Sequence, residues 1–291
     1  MPFYSASLRD IQRNIHFAGQ GKADVYHVTG DVHYVVMGLP SKKTILTIHD
    51  SVFIRESRGL KQIIFKWLFL KLPVRKVRFV TTISEKSKKE IIGYTGCDPD
   101  KIVVIPNPLN ENIYYQYKDF NLTRPTLLFI GSTPNKNLNR TIEAIADIPC
   151  VLEIVGQLSE TNLSLLKKYN IVYKQFLHLS DKEMAERYEA CDIVLFASLY
   201  EGFGLPILEA QKAGRAVLTS NISPMKEVAG AGACLVDPKD VNSIRAGINK
   251  IIEDADFRHQ IVDNGFENIK QYEPKKIADQ YLKLYETILN N

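Results

Sequence analysis

Short apolar runs separated by stretches of helical spacing recur along this chain of 291 residues. Residues 23–30, 44–50, 79–84 and 101–107 are rich in Val, Ile and Thr and end on polar or turn-forming residues, which predicts four short buried strands. Leu8, Ile11 and Ile15 stand at helical spacing, and 85–94 reads as the helix behind the third strand. Beyond residue 124 the alternation is regular. Strands are predicted at 126–130, 151–155, 171–173, 193–197, 216–219 and 233–236, and helices at 138–146, 160–168, 205–213, 224–229 and 240–253. A further helix opens on the capping-box spacing of Ser180 and Glu183 and runs through Cys191. A last helix begins at Pro274 with Ile277, Tyr281, Leu284 and Ile288 at helical spacing. Strands alternating with helices mean parallel sheets in an α/β protein. Residues 110–123 are polar and aromatic without a period and read as a crossing between two doubly wound domains. The expected division is 1–118, 119–272 and a C-terminal helix at 273–291.

Composition narrows the class. With 45% apolar and 24% charged residues the chain is of the soluble globular type and long enough for two domains. A net charge of +4 is mild, and no arginine-rich or aromatic-interleaved groove is visible, so nucleic acid is not an expected partner. Cys97, Cys150, Cys191 and Cys234 lie far apart without a C-x-x-C pair, which argues against zinc or a disulfide framework and for reduced thiols in a cytoplasmic protein. The N-terminus shows no signal-peptide pattern. No apolar run reaches the ~18 residues that span a bilayer.

The densest chemical signal is the stretch 201–209, Glu-Gly-Phe-Gly-Leu-Pro-Ile-Leu-Glu. It follows a predicted strand and opens a predicted helix, the place where parallel sheets bind ligands. Gly202 and Gly204 let backbone approach a ligand, Pro206 suits a helix start, and the amides around Gly204 and Leu205 would face an anion. Glu201 and Glu209 flank this anion-friendly turn. A nucleotide sugar, which carries phosphates and many hydroxyls, would use both: Glu209 for ribose hydroxyls, Glu201 for sugar hydroxyls. On the residues alone, Glu209 as a surface helix residue and Glu201 as a loop charge remain open. Lys136, in the turn 131–137 after the strand at 126–130, can reach a phosphate or be an exposed lysine near a helix start. No Asp-x-Asp motif appears, so no obligatory metal or cofactor is indicated beyond the nucleotide-sugar substrate.

Residues 192–209, with Lys136-Asn137-Leu138 upstream, resemble the retaining glycosyltransferases called group 1 or family four, of GT-B fold. The resemblance runs from about Asp24 to the C-terminus. It implies two Rossmann-like domains facing across a cleft, with the tail helix returning to the first domain. Sugar transfer from a nucleotide diphosphate to a hydroxyl acceptor, a glycan or lipid-linked glycan, is the implied reaction. His49, at a strand's C-terminal end, resembles the family's histidine beside the donor sugar. Gly131 and Lys136 match the segment that meets the diphosphate, although Ser132 stands where a basic residue is common. Ser84 and Asn107 match family strings but read as capping and turn residues. His178 stands where a glycine is common and is expected to pack locally; Glu227 is a weak structural candidate. The family's opening strand and glycine-rich loop have no counterpart before Asp24, so a truncated N-terminal domain is expected.

Residues 55–78 combine Arg55, Arg58, Lys61, Lys66, Lys71, Arg75, Lys76 and Arg78 with an aromatic and aliphatic core around Trp67. Two readings stand: a peripheral contact with an anionic membrane, or a buried helix with a solvated basic end. The first suits a lipid-linked acceptor and polysaccharide or lipopolysaccharide assembly at the inner face of a membrane, a setting typical of the family. The rival to transfer is a catalytically weak or silent binding subunit that docks through 55–78; an enzyme that epimerises the nucleotide sugar is a third reading.

Overall fold

The computed structural model describes residues 7–51, 54 and 59–290, side chains of Leu60 and Lys61 excepted, so Arg55 and Arg58 lie outside the described residues. The chain forms two compact units, Met1–Asn107 with Lys275–Asn291, and Pro108–Pro274.

In the first unit β1 (Tyr26–Val28), β2 (Thr44–Ile48), β3 (Phe79–Thr82) and β4 (Ile102–Val104) make a parallel sheet in that order. Strand β2 is buried along its whole length, as expected where both sheet faces are covered. Its side chains alternate between two cores. Leu46 and Ile48 pack with Leu70, Val74 and Ile91, whereas Ile45 packs with Ile277, Leu284 and Ile288 of the helix Pro274–Leu289. That second face also holds a polar chain: His27 shares hydrogen bonds of 2.7 Å with Tyr285 and with Thr47, and Thr47 meets Thr81 at 2.6 Å. Burial, and then His49 nearby, hold the His27 pKa below its usual range.

The second unit contains β5 (Thr126–Ile130), β6 (Val151–Val155), β7 (Tyr173–Phe176), β8 (Ile193–Phe196), β9 (Ala216–Ser220) and β10 (Cys234–Val236). All pair in parallel, in the order β10-β9-β8-β5-β6-β7. From β5 the chain winds one way to β6 and β7, then crosses back to β8 and winds the other way. The strand order therefore reverses between β5 and β8, and parallel sheets bind ligands beyond the C-terminal ends of the strands at such a point.

Four differences from the sequence reading have physical causes. The strand expected at 171–173 forms instead at Tyr173–Phe176; it is an edge strand whose first three residues are exposed, so it carries little apolar signal. The helix Ala255–Ile269 was not foreseen, because Arg258 and Gly265 occupy its buried stripe beside Ile261. Residues 110–123, read as a crossing, are fixed to the second unit: Asp192 accepts hydrogen bonds from Lys118 and the Asn121 amide, and Tyr115 meets Phe266 edge-on at 5.3 Å. His178 does not pack locally; it is exposed with φ 54°, the left-handed conformation that makes glycine common there.

Leu284→Ala deletes a buried side chain from the face of the first sheet that the last helix covers. The expected cost is ~2–4 kcal/mol. Urea unfolding should show one transition at lower denaturant while the transition of the second unit keeps its midpoint.

Candidate active site

The two loops beside the strand-order reversal are 131–137 after β5 and 197–204 after β8. Each is shaped by a glycine with a backbone other residues avoid. Gly131 has φ 105°, and a Cβ there would lie 2.8 Å from Lys136 Cγ. The lysine stem thus runs directly over the glycine. Gly204 has φ 121° and precedes the helix Leu205–Lys212, which has Pro206 in its first turn and no side-chain cap. The end of this helix is left to its own amides.

Asn137 stitches the loops together. It is buried and left-handed at φ 70°, and its Nδ2 donates to the carbonyls of Ala197 at 2.9 Å and Pro238 at 2.6 Å. One side chain therefore ties the ends of β5, β8 and β10. Asn135 adds two bonds: its carbonyl accepts from the Leu199 amide at 2.7 Å, and its Nδ2 donates to the Tyr200 carbonyl at 2.9 Å. Sequence reasoning quoted Asn137 within the string Lys136-Asn137-Leu138 but gave neither asparagine a role. The signal available was an Asn at the last loop position before a helix, where αL geometry is tolerated.

On this frame the Lys136 ammonium meets Glu201 Oε1 at 2.8 Å, with side-chain exposures of 22% and 14%. The same ammonium lies 4.9 Å from the Phe196 ring centroid. A cation and a carboxylate thus stand together in the loops that follow β5 and β8, four residues before the helix Leu205–Lys212. Phe203 is buried, its ring edge-on to Tyr272 at 6.0 Å, so it offers a ligand backbone only.

Glu209 sits one turn further into that helix, in a network of its own. Tyr188 OH donates to Oε2 at 2.6 Å and Asn110 Nδ2 to Oε1 at 3.3 Å. Lys212 donates to the Asn110 carbonyl at 2.7 Å. Burial, followed by the Glu209 charge, raises the Tyr188 pKa well above its ordinary value, so the phenol stays a proton donor to the carboxylate. Each carboxylate oxygen accepts from one of these protein donors, and carboxylate oxygens have further lone-pair capacity.

His49 lies in the first unit just beyond β2. Its Nε2 donates to the Thr29 carbonyl at 3.0 Å, which makes Nδ1 the acceptor in the neutral ring. Ser84 caps the helix Glu85–Thr95 by accepting from the Ser87 amide, the structural role its sequence context suggests. Glu227 is exposed on the short helix Met225–Ala229. Among the described residues no group of three or more His, Cys, Asp or Glu side chains converges as a metal site.

Comparison with known proteins fits this geometry. Residues 113–268 match the sequence model described as glycosyl transferases group 1, and 1–112 match the one described as glycosyltransferase family 4. The chain is 25% identical to the serotype-specific mannosyltransferase WbdA of Escherichia coli, over 90% of its own length and 38% of that protein's. It is 27% identical to the O-antigen chain mannosyltransferase RfbU of Salmonella typhimurium, over 78% of its length and 67% of the relative's. The chain spans between 30% and 38% of the first three curated relatives it matches. Its fold superposes on Anabaena Alr3699/HepE, solved in complex with UDP and glucose, with a TM-score of 0.81 at 18% identity, covering 99% of this chain and 84% of that one. Two parallel α/β units of this kind are the GT-B fold. With its second unit matched almost throughout, loops 131–137 and 197–204 included, the chain belongs to the group 1 glycosyl transferases.

Proposed function

We propose that the chain transfers a sugar from a nucleotide-diphosphate sugar to a hydroxyl of a glycan or lipid-linked glycan, with retained anomeric configuration, in polysaccharide or lipopolysaccharide assembly. The observation that carries this reading is the Lys136–Glu201 pair, 2.8 Å apart at the reversal of strand order and beside a helix N-terminus. Few ligands need an ammonium and amides at one end and carboxylates at the other. A diphosphate bonded to a sugar and a ribose does.

In this reading Lys136 and the amides around Gly204 and Leu205 take the charge that grows on the departing diphosphate. Gly131 leaves room for the lysine stem. Glu201 exchanges its ammonium partner for sugar hydroxyls, with Gly202 and Phe203 adding backbone contacts. Glu209 accepts from ribose hydroxyls. His49 is assigned to the donor sugar on the family resemblance. No general base is assigned, because the leaving phosphate can accept the acceptor's proton. No metal is required in this scheme. The mannosyltransferase relatives and the UDP complex make mannose- and UDP-bearing nucleotides the first donors to test. A lipid-carried acceptor would bring the enzyme to the inner face of a membrane.

Glu209→Ala should weaken donor binding by ~2–4 kcal/mol, the scale of truncating a buried charged hydrogen-bond partner. Calorimetry with the nucleotide measures it, and unchanged affinity removes Glu209 from the site. Tyr188→Phe keeps the buried ring and deletes only the hydroxyl. The donor KM should rise by up to about tenfold with kcat retained, in line with one hydrogen bond to a charged group; an equal fall in kcat would speak against a positioning role. For Lys136→Ala, turnover at saturating donor should drop by ~100-fold or more, as when one donor to the developing charge is lost. A rate equal to wild type rejects that assignment.

A further inference from the structure

We propose that the second unit carries a second ligand site, a pocket for a sugar ring of a neutral glycan, at the end of its sheet opposite the Lys136–Glu201 pair. The pocket has a volume of about 540 Å³, within the range of roughly 300–1,000 Å³ usual for small ligands. Its floor is the backbone that enters β8 and β9, at Asp192 and Arg215. The loops that hold Lys136 and Glu201 leave the other ends of β5 and β8. The length of a strand, about 13 Å for β8, therefore separates the two places. One wall is the segment 115–122 and the other the helix Ala255–Ile269, both within the second unit. Tyr115 is wedged between Phe266, met edge-on at 5.3 Å, and Gly214, where a Cβ would lie 2.6 Å from its ring. Tyr117, 77% exposed, donates to Asp119 Oδ1 at 2.6 Å, which fixes its ring at the rim and leaves the other carboxylate oxygen to accept.

Arg258 is the group that asks for a ligand. It lines the pocket, is 7% exposed, and stacks 4.1 Å from the Phe120 ring centroid. Its Nη1 donates to the carbonyls of Ile251 and Ile252, but among the described residues its Nε and Nη2 have no protein partner. N–H donors on a buried side chain call for an acceptor, and the pocket is where one can enter. The ligand's class follows from the balance of the groups around it. Lys118, Arg215 and Arg258 are matched by Asp119, Asp192 and Asp263, so the formal charges cancel. Lys118 already pairs with Asp192, and Arg215 donates to the carbonyls of Tyr188, Glu189 and Gln116. A phosphate would therefore meet carboxylates with no cation in surplus. What remains is donors on Arg258, acceptors on Asp119 and on the exposed Asp263, and the rings of two tyrosines. A sugar ring presents the complement. Its hydroxyls donate and accept around the edge, and the C–H groups of its faces pack on aromatic rings.

Calorimetry and saturation-transfer NMR on the full-length protein, with mannotriose, maltotriose and cellotriose as neutral probes, should detect millimolar or tighter binding of at least one. Binding of none overturns the proposal. Tyr117→Ala and Asp263→Ala should each weaken that binding about tenfold or more. Both side chains are exposed, so circular dichroism of the variants should match wild type. Either variant binding as tightly as wild type overturns the proposal, since the sugar would then sit elsewhere. Saturating UDP should leave the trisaccharide bound. Its displacement by UDP would put the sugar at the nucleotide's own site, and displacement by pyrophosphate would make the pocket an anion site; each overturns the proposal. No step of the test depends on transfer activity, so its failure and failure of the donor experiments are told apart.

Discussion

Two loops that leave adjacent strands in a parallel sheet have no ladder to hold them, because strand pairing stops where the strands end. Here the missing order comes from Asn137, a buried side chain that donates to two carbonyls on other loops. Buried carbonyls need partners, and an amide placed in αL geometry supplies two donors from one position. The rest of the site is built on that stitch. Once 131–137 is fixed against 197–201, the stem of Lys136 has one course, over Gly131, and ends on Glu201.

The ion pair then explains how a site can be charged without being ill-formed. Two largely buried charges of opposite sign satisfy each other. A charge stripped of its partner in such a place is costly, so any ligand that separates the pair must replace both halves. A plain phosphate would serve the lysine and strand the glutamate; a neutral sugar would do the reverse. Under the proposed function this requirement for both chemistries at once is a specificity device that favours the intact donor over its fragments. Glu209 is prepared differently. Tyr188 and Asn110 hold one oxygen each, which fixes the carboxylate's plane; if Glu209 binds hydroxyls as proposed, preorganisation of this kind lowers the entropy lost on binding.

Most of the fold was legible because its strands are short, β-branched and bounded by turn residues, and because its helices are amphipathic. The motif at 201–209 was legible because glycines, a proline and two carboxylates keep fixed spacings there. What stayed hidden has a common cause: side chains doing work their residue type does not advertise. Arg258 fills a core position by donating to the carbonyls of Ile251 and Ile252, at 2.7 and 3.0 Å, so its helix showed no apolar stripe. Arg215 is buried by the same means, bonded to the carbonyls of Tyr188, Glu189 and Gln116, and with Asp192 it draws the polar segment 115–121 onto the second unit. Asn137 and Tyr188 reach the site from outside its motif, across 60 and 21 residues of chain, a relation only the folded topology creates.

The helical stretch 59–76 is the instructive case for reading amphipathicity. Counted at an α-helical period, Lys61, Lys66 and Lys71 fall on different faces, and the pattern looks poor. The organising residues are instead the apolar ones at 63, 64, 67 and 68, which share one face, and the π turn lets the helix continue past Lys71 with Leu70 and Val74 still inward. Nor is the stripe an unfinished core. The first sheet already has both faces covered, one by side chains that include Leu70 and Val74 themselves, the other by the last helix. The sheet's apolar surface is spent before the outer face of 59–76 is reached. The exposed apolar residues of this face therefore lie outside both cores of the unit.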